Sequence, residues 1–167
     1  MIFSDAFALC RTALWEPAGL DVEAPQPEAE SADYAACISR VNGAAIRFRL
    51  ARVTPTKIGQ FVTLWQRSAA GPIAPFDLAD GVDYFVVATL AGASRGAFVF
   101  PLAELAAQGV VSRAGAGGKR AIRVYPPWDR PVARQAIQTQ RWQGAYFLDF
   151  SESAALSPAR VRSLFGA

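Results

Sequence analysis

The feature of the sequence that most constrains the fold is an apolar run in the middle of the chain, from Asp83 to Thr89. After its first residue the run carries no charge, and it is rich in valine and aromatic side chains, which are enriched in β-strands. A strand that is apolar on both faces is typical of the centre of a sheet whose two faces are covered. We therefore predict that residues 83–89 form a buried central strand.

A second strand pattern precedes this run. Within residues 44–53, apolar side chains alternate with arginines, so one face of the strand would belong to the core and the other would be cationic. Asn42 and Gly43, the dipeptide that best fits a two-residue hairpin turn, separate this segment from a strand-like segment at residues 34–41. The pattern predicts a β-hairpin.

The remaining patterns indicate both strands and helices. Strand-like segments occupy residues 60–67, 96–100 and 120–125, and helix-like segments occupy residues 4–16, 101–109, 132–143 and 157–165. Because most strands precede most helices, we predict an α+β fold in which a central mixed or antiparallel sheet of about five to seven strands is flanked by helices. A chain of 167 residues has the size of one domain. We divide it into an acidic N-terminal helix and connector (1–30), a core (31–150) and a C-terminal helix (151–167).

Charge is distributed unevenly along the chain. Residues 1–35 contain seven acidic side chains and one basic side chain, whereas residues 36–167 contain sixteen basic and seven acidic side chains. A basic region of this kind is suited to an anionic partner. Alternatively, the acidic segment packs over the basic part and neutralises it. The sequence leaves both interpretations open.

The sequence also bears on the compartment. No segment approaches the ~20 consecutive apolar residues that a membrane span requires, and the first residues lack the basic leader of a secretory signal. The two cysteines, Cys10 and Cys37, do not make a disulfide framework, and we expect both to be small buried side chains. We therefore expect a cytoplasmic protein that has no membrane partner.

Several kinds of catalytic site are excluded by composition. The chain contains no histidine, which removes Ser-His-Asp and Cys-His nucleophiles and histidine-ligated metal sites. The glycine-rich segment 115–120 is not a phosphate-binding loop, because Arg113 stands where its first glycine belongs and the segment leads into a strand. No sequence feature indicates a cofactor.

A carboxylate metal site is the chemistry that composition leaves open. Asp77, Asp80 and Asp83 lie just before the central strand, and Mg²⁺ needs only one or two carboxylates together with substrate oxygens. Asp77 and Asp80 are better explained as turn formers, which leaves Asp83 as a candidate ligand. Neither Lys57 nor Lys119 has an acid two residues before it, as the D/E-x-K strand of many metal-dependent nucleases requires. We therefore predict no metal site.

Three segments combine cationic side chains with aromatic and amide side chains: residues 52–67, 118–129 and 139–143. The combination suits phosphate oxygens and the stacking of unpaired bases. The candidate nucleic-acid-binding residues are Arg52, Lys57, Lys119, Arg120, Arg123, Tyr125, Trp128, Gln140, Trp142 and Gln143. The cations would neutralise phosphates, Tyr125 and Trp128 would stack on bases, and the glutamines would make amide contacts. Alternatively, the tryptophans are core anchors, although for Trp128, in a proline-rich loop, we expect exposure.

At these residues the chain resembles the MepB family, over about residues 30–148. The likeness rests on Arg-x-Thr-Pro-x-Lys-x-Gly-Gln-Phe-Val at 52–62, Gly-x-Phe-Val-Phe-Pro at 96–101, Gly-Lys-Arg-x-Ile-Arg-Val-Tyr-Pro-Pro-Trp-Asp at 118–129 and Thr-Gln-x-Trp-Gln at 139–143. Members lack an established activity, and some are encoded beside a MarR-type repressor and a multidrug efflux pump. The resemblance implies a restriction-endonuclease-like core. Arg52 and Ala97 depart from the pattern, where lysine and glutamine are expected, and the loss of a polar group at Ala97 disfavours catalysis.

Three hypotheses follow. The first is a non-catalytic nucleic-acid-binding domain on a nuclease-like scaffold, with single-stranded nucleic acid as its partner. The second is a small-molecule-binding or protein-binding accessory module linked to drug-efflux regulation, in which the aromatic side chains line an apolar pocket. The third is a divalent-metal phosphodiesterase that uses Asp83.

Overall fold

The structure is a computed structural model that describes residues 3–68 and 71–167. The strands in chain order are β1 (Gln26–Pro27), β2 (Cys37–Val41), β3 (Ala44–Leu50), β4 (Arg52–Val53), β5 (Gln60–Thr63), β6 (Trp65–Arg67), β7 (Ile73–Pro75), β8 (Tyr84–Ala91), β9 (Ser94–Pro101), β10 (Ala121–Val124) and β11 (Phe147–Asp149). The helices are α1 (Phe3–Cys10), which continues as a π-helical segment over Arg11–Trp15, α2 (Leu102–Ala107), α3 (Arg134–Gly144) and α4 (Pro158–Leu164).

The main sheet has six strands in the order β1-β2-β3-β8-β9-β11 within the described ranges. Strands β3 and β8 are parallel, and every other neighbouring pair is antiparallel, so the sheet is mixed. Strand β8 has a partner on both sides, and its residues from Phe85 to Thr89 are buried. The predicted central strand and the predicted mixed α+β architecture are confirmed.

The predicted hairpin is also present. Strands β2 and β3 pair antiparallel up to Val41 and Ala44, and the turn residues Asn42 and Gly43 have φ angles of 51° and 80°. Positive φ at both positions is what a type I′ turn requires, and asparagine and glycine adopt it most readily. Strand β2 begins three residues later than predicted, because Ala32–Tyr34 forms a 3₁₀ turn before it.

A smaller sheet carries most of the candidate residues. It has the strand order β10-β5-β4 and is antiparallel throughout. The single strand predicted over residues 60–67 is divided at Leu64, whose backbone N–H donates to the carbonyl oxygen of Arg120 at 2.9 Å. Beyond Leu64, strand β6 leaves this sheet and pairs with β7 instead.

Two apolar cores lie on opposite faces of the main sheet, which explains why its central strand is apolar on both sides. Alternate residues of β8 belong to different cores: Val86 to the first and Phe85 to the second. The first core is closed by α1, the π-helical segment and α4, and includes Phe7, Trp15, Phe48, Val161 and Phe165. The second is closed by α2, by Trp142 of α3 and by the small sheet, and includes Val62, Phe76, Phe98, Phe100 and Leu105.

The acidic segment packs over part of the basic region. Glu28 forms ion pairs with Arg47, at 2.7 Å, and with Arg49, and Glu30 pairs with Arg67 at 2.9 Å. Arg49 is completely buried, so the arginine face predicted for β3 is covered. Burial lowers the pKa of Arg49, and the charge of Glu28 opposes this shift. The acidic segment therefore neutralises these three arginines, as the second interpretation of the charge distribution predicted.

Two further expectations concern the burial of the cysteines and the absence of a membrane-spanning segment. Cys10 and Cys37 are free and buried in the first core, as predicted. Burial raises the pKa of both thiols, that of Cys37 to about 12.

Within the described part of the chain, no helix combines the length and the apolar character needed to cross a membrane.

Candidate functional site

An open cleft of about 660 Å³ lies between β10 and α3, and we call it the α3 cleft. It is lined by Lys57, Phe61, Gln108, Val110, Lys119, Ala121, Ile122, Arg123, Tyr125, Ala133, Gln135, Ala136, Gln138, Thr139, Trp142 and Gln143. Three of these described lining residues are cationic and none is acidic. The cleft therefore brings together six of the ten candidate residues: Lys57, Lys119, Arg123, Tyr125, Trp142 and Gln143.

Arg123 is fixed by the small sheet. It lies opposite Phe61 in the β10–β5 pairing, and its guanidinium carbon is 5.8 Å from the centre of the Phe61 ring. Its Nη2 donates to Thr54 Oγ1 at 2.9 Å and its Nη1 to the Gly59 carbonyl oxygen at 3.4 Å. Both acceptors are neutral, and no acidic side chain pairs with Arg123 within the described ranges. Its charge is thus held in place without being neutralised.

Gln143 connects α3 to the edge of β10. Its Oε1 accepts the backbone N–H of Tyr125 at 2.8 Å, and its Nε2 donates to the carbonyl oxygen of Arg123 at 3.0 Å. The side-chain amide therefore makes the two hydrogen bonds that a neighbouring strand would make. Because Gln143 is completely buried, its amide supports the cleft wall from within the protein.

Gln140 has a related structural role. Its Nε2 donates to the carbonyl oxygens of Pro126 at 3.0 Å and Asp129 at 2.8 Å. These hydrogen bonds hold the loop that carries Trp128. The amide contacts that the sequence predicted for Gln140 and Gln143 are made to this chain's own backbone.

The two candidate tryptophans are both half-buried. Trp142 packs against Phe100 with ring centres 5.4 Å apart and borders the α3 cleft. Trp128 meets Phe147 edge-on with ring centres 5.6 Å apart and borders a different cavity, described below. Trp128 is therefore less exposed than its proline-rich loop predicted, because Phe147 of the neighbouring β11 supports one side of the ring.

The other candidate residues divide by position. Lys57 and Lys119 are exposed at the α3 cleft, whereas Arg52 and Arg120 are exposed but do not line it. Tyr125 packs on Gly59, where a Cβ atom would come within 2.6 Å of the tyrosine ring. Gly59 also has a φ angle of 85°, so glycine is needed there for two reasons.

Sequence reasoning missed part of one wall of the cleft. Gln135, Thr139 and Trp142 all line it from α3. Their spacing of four and three residues places them on one face of a helix. Trp142 and Gln143 are the residues of this wall that the sequence predicted, whereas Gln135 and Thr139, in the same predicted helix at residues 132–143, were missed.

The three aspartates are engaged in local hydrogen bonds. Asp77 accepts from the backbone N–H of Gly115 at 2.9 Å and from Ser112 Oγ at 2.7 Å, and these bonds lower the pKa of its carboxyl group. Asp80 accepts from the backbone N–H of Asp77, and Asp83 accepts from that of Ala45 at 2.8 Å. Asp77 and Asp80 are turn formers, as predicted. No cluster of three or more metal-ligating acids or thiols occurs in the described ranges.

A second cavity, of about 450 Å³, adjoins the α3 cleft at Lys57, which lines both. We call it the Trp128 cavity; it is lined by Val53, Lys57, Ile58, Gly59, Gln60, Ala91, Trp128, Asp129 and Arg130. Gln60 is only 1% exposed, and neither atom of its amide group has a hydrogen-bond partner among the described residues. Burial raises the pKa of the Asp129 carboxyl group.

Comparison with known proteins matches the region that forms both cavities. The sequence model of the MepB-like family matches residues 28–149. A solved structure described as "Crystal Structure of MepB" is 34% identical in sequence, with a TM-score of 0.74, and the match covers 77% of this chain and 86% of that one. No match is found among curated proteins.

Proposed function

This chain belongs to the MepB-like family, and we propose that it binds single-stranded nucleic acid in the α3 cleft without cleaving it. The observation that carries the proposal is the composition of the cleft. Lys57, Lys119 and Arg123 face one concavity with aromatic side chains, and none of its described lining residues is acidic. Phosphate oxygens and unpaired bases are the ligand groups that match such a surface.

The distribution of ion pairs supports an anionic ligand. The acidic segment neutralises Arg47, Arg49 and Arg67, which lie elsewhere. Within the described ranges it makes no ion pair with the cations of the α3 cleft. A cleft that concentrates positive charge attracts anions and raises their local concentration. We therefore assign internal neutralisation to these three arginines and anion binding to the α3 cleft.

The aromatic side chains favour a single strand over a duplex. Phe61, Tyr125 and Trp142 line the cleft, and each packs against a neighbour: Tyr34, Gly59 and Phe100, respectively. Their rings are therefore ordered before a ligand arrives. Bases can stack on such rings only when they are unpaired, and the stacking tolerates different sequences. A concavity of this volume has the size of a small-ligand site and fits a few nucleotides.

We propose that the scaffold is nuclease-like and that it serves binding alone. Asp83, the candidate metal ligand, uses its carboxylate to accept the Ala45 N–H and so joins the beginnings of β3 and β8. Ala97 packs in the first core, on the sheet face opposite α3. Its departure from the family pattern therefore does not alter the α3 cleft.

The proposal is tested by the salt dependence of binding. Each phosphate neutralised on a single strand contributes about 0.7 to the log–log slope of affinity against salt, so three cations predict a slope of about −2. Arg123→Ala should flatten the slope by about 0.7, as measured by fluorescence anisotropy with a labelled single-stranded oligonucleotide.

Arg40→Ala is the matched control, because Arg40 is exposed at the hairpin and does not line the cleft. It should leave the slope unchanged. The oligonucleotide should be recovered intact after incubation with Mg²⁺ or Mn²⁺. Equal slopes for both variants would contradict the assignment of the cleft, and turnover that is lost in Asp83→Asn would replace it with a metal-dependent activity.

A further inference from the structure

We propose that the Trp128 cavity is a base-binding subsite that takes one unpaired adenine, recognised by the amide group of Gln60. This inference rests on the proposed function, since it assigns the place of one nucleotide of the strand bound in the α3 cleft. Three groups around this cavity support the inference: the buried amide of Gln60, which has no partner among the described residues, the indole ring of Trp128, and the cation of Lys57.

The amide of Gln60 is the main observation. Buried side-chain amides are almost always hydrogen-bonded, and leaving both the donor and the acceptor unpaired is costly. Gln60 lies at the beginning of β5, where its backbone pairs with Val124 on one side and Val53 on the other. Both of these neighbours are apolar and offer the amide no partner. Because Gln60 is one of the residues that line the Trp128 cavity, we assign the missing partner of its amide to a ligand bound there.

The chemistry of the amide selects the ligand. A glutamine side chain presents one donor and one acceptor side by side, which matches adenine N7 and N6–H₂. Asp129 lines the same cavity and provides a further acceptor for an exocyclic amino group. Thymine and uracil have no amino group, so they satisfy these acceptors less well.

Trp128 provides the stacking surface. Phe147 supports it edge-on, and Gln140 fixes the loop on both sides of it through the carbonyl oxygens of Pro126 and Asp129. An indole ring held in this way loses little conformational freedom when a base stacks on it. Stacking and amide recognition can therefore act on the same base.

Lys57 joins the subsite to the cleft. It lines both cavities, so a phosphate bound at Lys57 lies between a base in the Trp128 cavity and the next nucleotide in the α3 cleft. Arg130, which is exposed and also lines the Trp128 cavity, adds a second cation. This arrangement gives the bound strand a continuous path through both cavities.

The test compares two single-stranded oligonucleotides of about 15 nucleotides, one all thymine and one with a single central adenine. The wild-type protein should bind the adenine-containing strand about tenfold more tightly, as expected for one bidentate contact. Gln60→Leu, which keeps the side-chain volume but removes the amide, should bind both strands with the affinity that the wild-type protein has for the thymine strand.

The outcomes separate this inference from the proposed function. Equal wild-type affinity for the two strands, or an adenine preference that persists in Gln60→Leu, overturns the subsite and leaves the cleft proposal intact. No binding to either strand overturns the proposed function and the subsite together. The wild-type comparison needs no variant, so it holds even if Gln60→Leu is poorly folded.

Discussion

Glu28 is the residue on which the covering of the basic face depends. It pairs with two arginines, one of which, Arg49, is completely buried. Removing one partner of a buried ion pair leaves an uncompensated charge in a medium that solvates it poorly. The pair thus links the position of the acidic segment to the stability of the main sheet, because Arg49 belongs to β3.

Substitution of Glu28 should therefore strongly destabilise the folded protein. We expect Glu28→Gln to lower the free energy of unfolding by about 3–5 kcal/mol, measured by urea denaturation. Glu30→Gln is the control, because Glu30 pairs with Arg67, and the side chains are 32% and 56% exposed. An exposed pair is worth about 0–1 kcal/mol. Similar losses in the two variants would show that Arg49 is not buried as described.

The two cysteines give a prediction about pH. Burial raises the pKa of the Cys37 thiol from its ordinary value of 9.0 to about 12, and that of Cys10 is raised as well. The thiolate is the reactive form, so both should resist a disulfide reagent in the native protein even at pH values near 9.0.

Thiol labelling kinetics check this expectation. Both cysteines should react quickly in denaturant and slowly without it. The unfolded state ionises first, so the stability contributed by Cys37 should be present below pH 9.0 and be lost as the pH rises towards about 12. Rapid native labelling with an apparent pKa near 9.0 would contradict the burial of these thiols.

At the scale of the secondary-structure elements, helix α3 and strand β10 act as one unit. Gln143 satisfies the backbone groups of Arg123 and Tyr125 that a further strand would otherwise satisfy. This contact positions two cleft residues at once. The orientation of the cleft wall therefore depends on one buried amide in a helix.

A pair of glutamine substitutions tests this unit. Gln143→Leu should lower the free energy of unfolding by about 2–4 kcal/mol, because it leaves a backbone donor and acceptor unpaired. It should also accelerate hydrogen exchange at the Tyr125 amide. Gln138→Leu, at an exposed position of the same helix, should change stability by no more than about 0.5 kcal/mol. Equal losses would mean that the amide does not complete the strand edge.

The elements differ in how well the sequence predicts them. The central strand and the hairpin were predicted correctly because the apolar run at residues 83–89, the alternation at residues 44–53 and the Asn42-Gly43 turn are local signals. The role of Gln143 could not be predicted, since its partners are eighteen and twenty residues away. The break in the strand at Leu64 could not be predicted from neighbouring residues either, because it depends on a hydrogen bond to Arg120.

At the scale of the whole molecule, the decisive feature is how charge is distributed after folding. The sequence shows an acidic beginning and a basic remainder, and it leaves open both an anionic ligand and internal neutralisation. In the folded chain, acidic residues of the N-terminal segment form ion pairs with Arg47, Arg49 and Arg67. Lys57, Lys119 and Arg123 instead line the α3 cleft. This division depends on tertiary contacts and has no counterpart in composition.

The central claim is that the α3 cleft recognises unpaired nucleic acid, and strand preference tests it most directly. Anisotropy titrations at low salt should compare a labelled single strand with its duplex at equal length. We predict that the single strand binds at least about tenfold more tightly, because loss of one stacked base costs about 1–3 kcal/mol. Equal or tighter binding of the duplex, or no binding of either, would contradict the account.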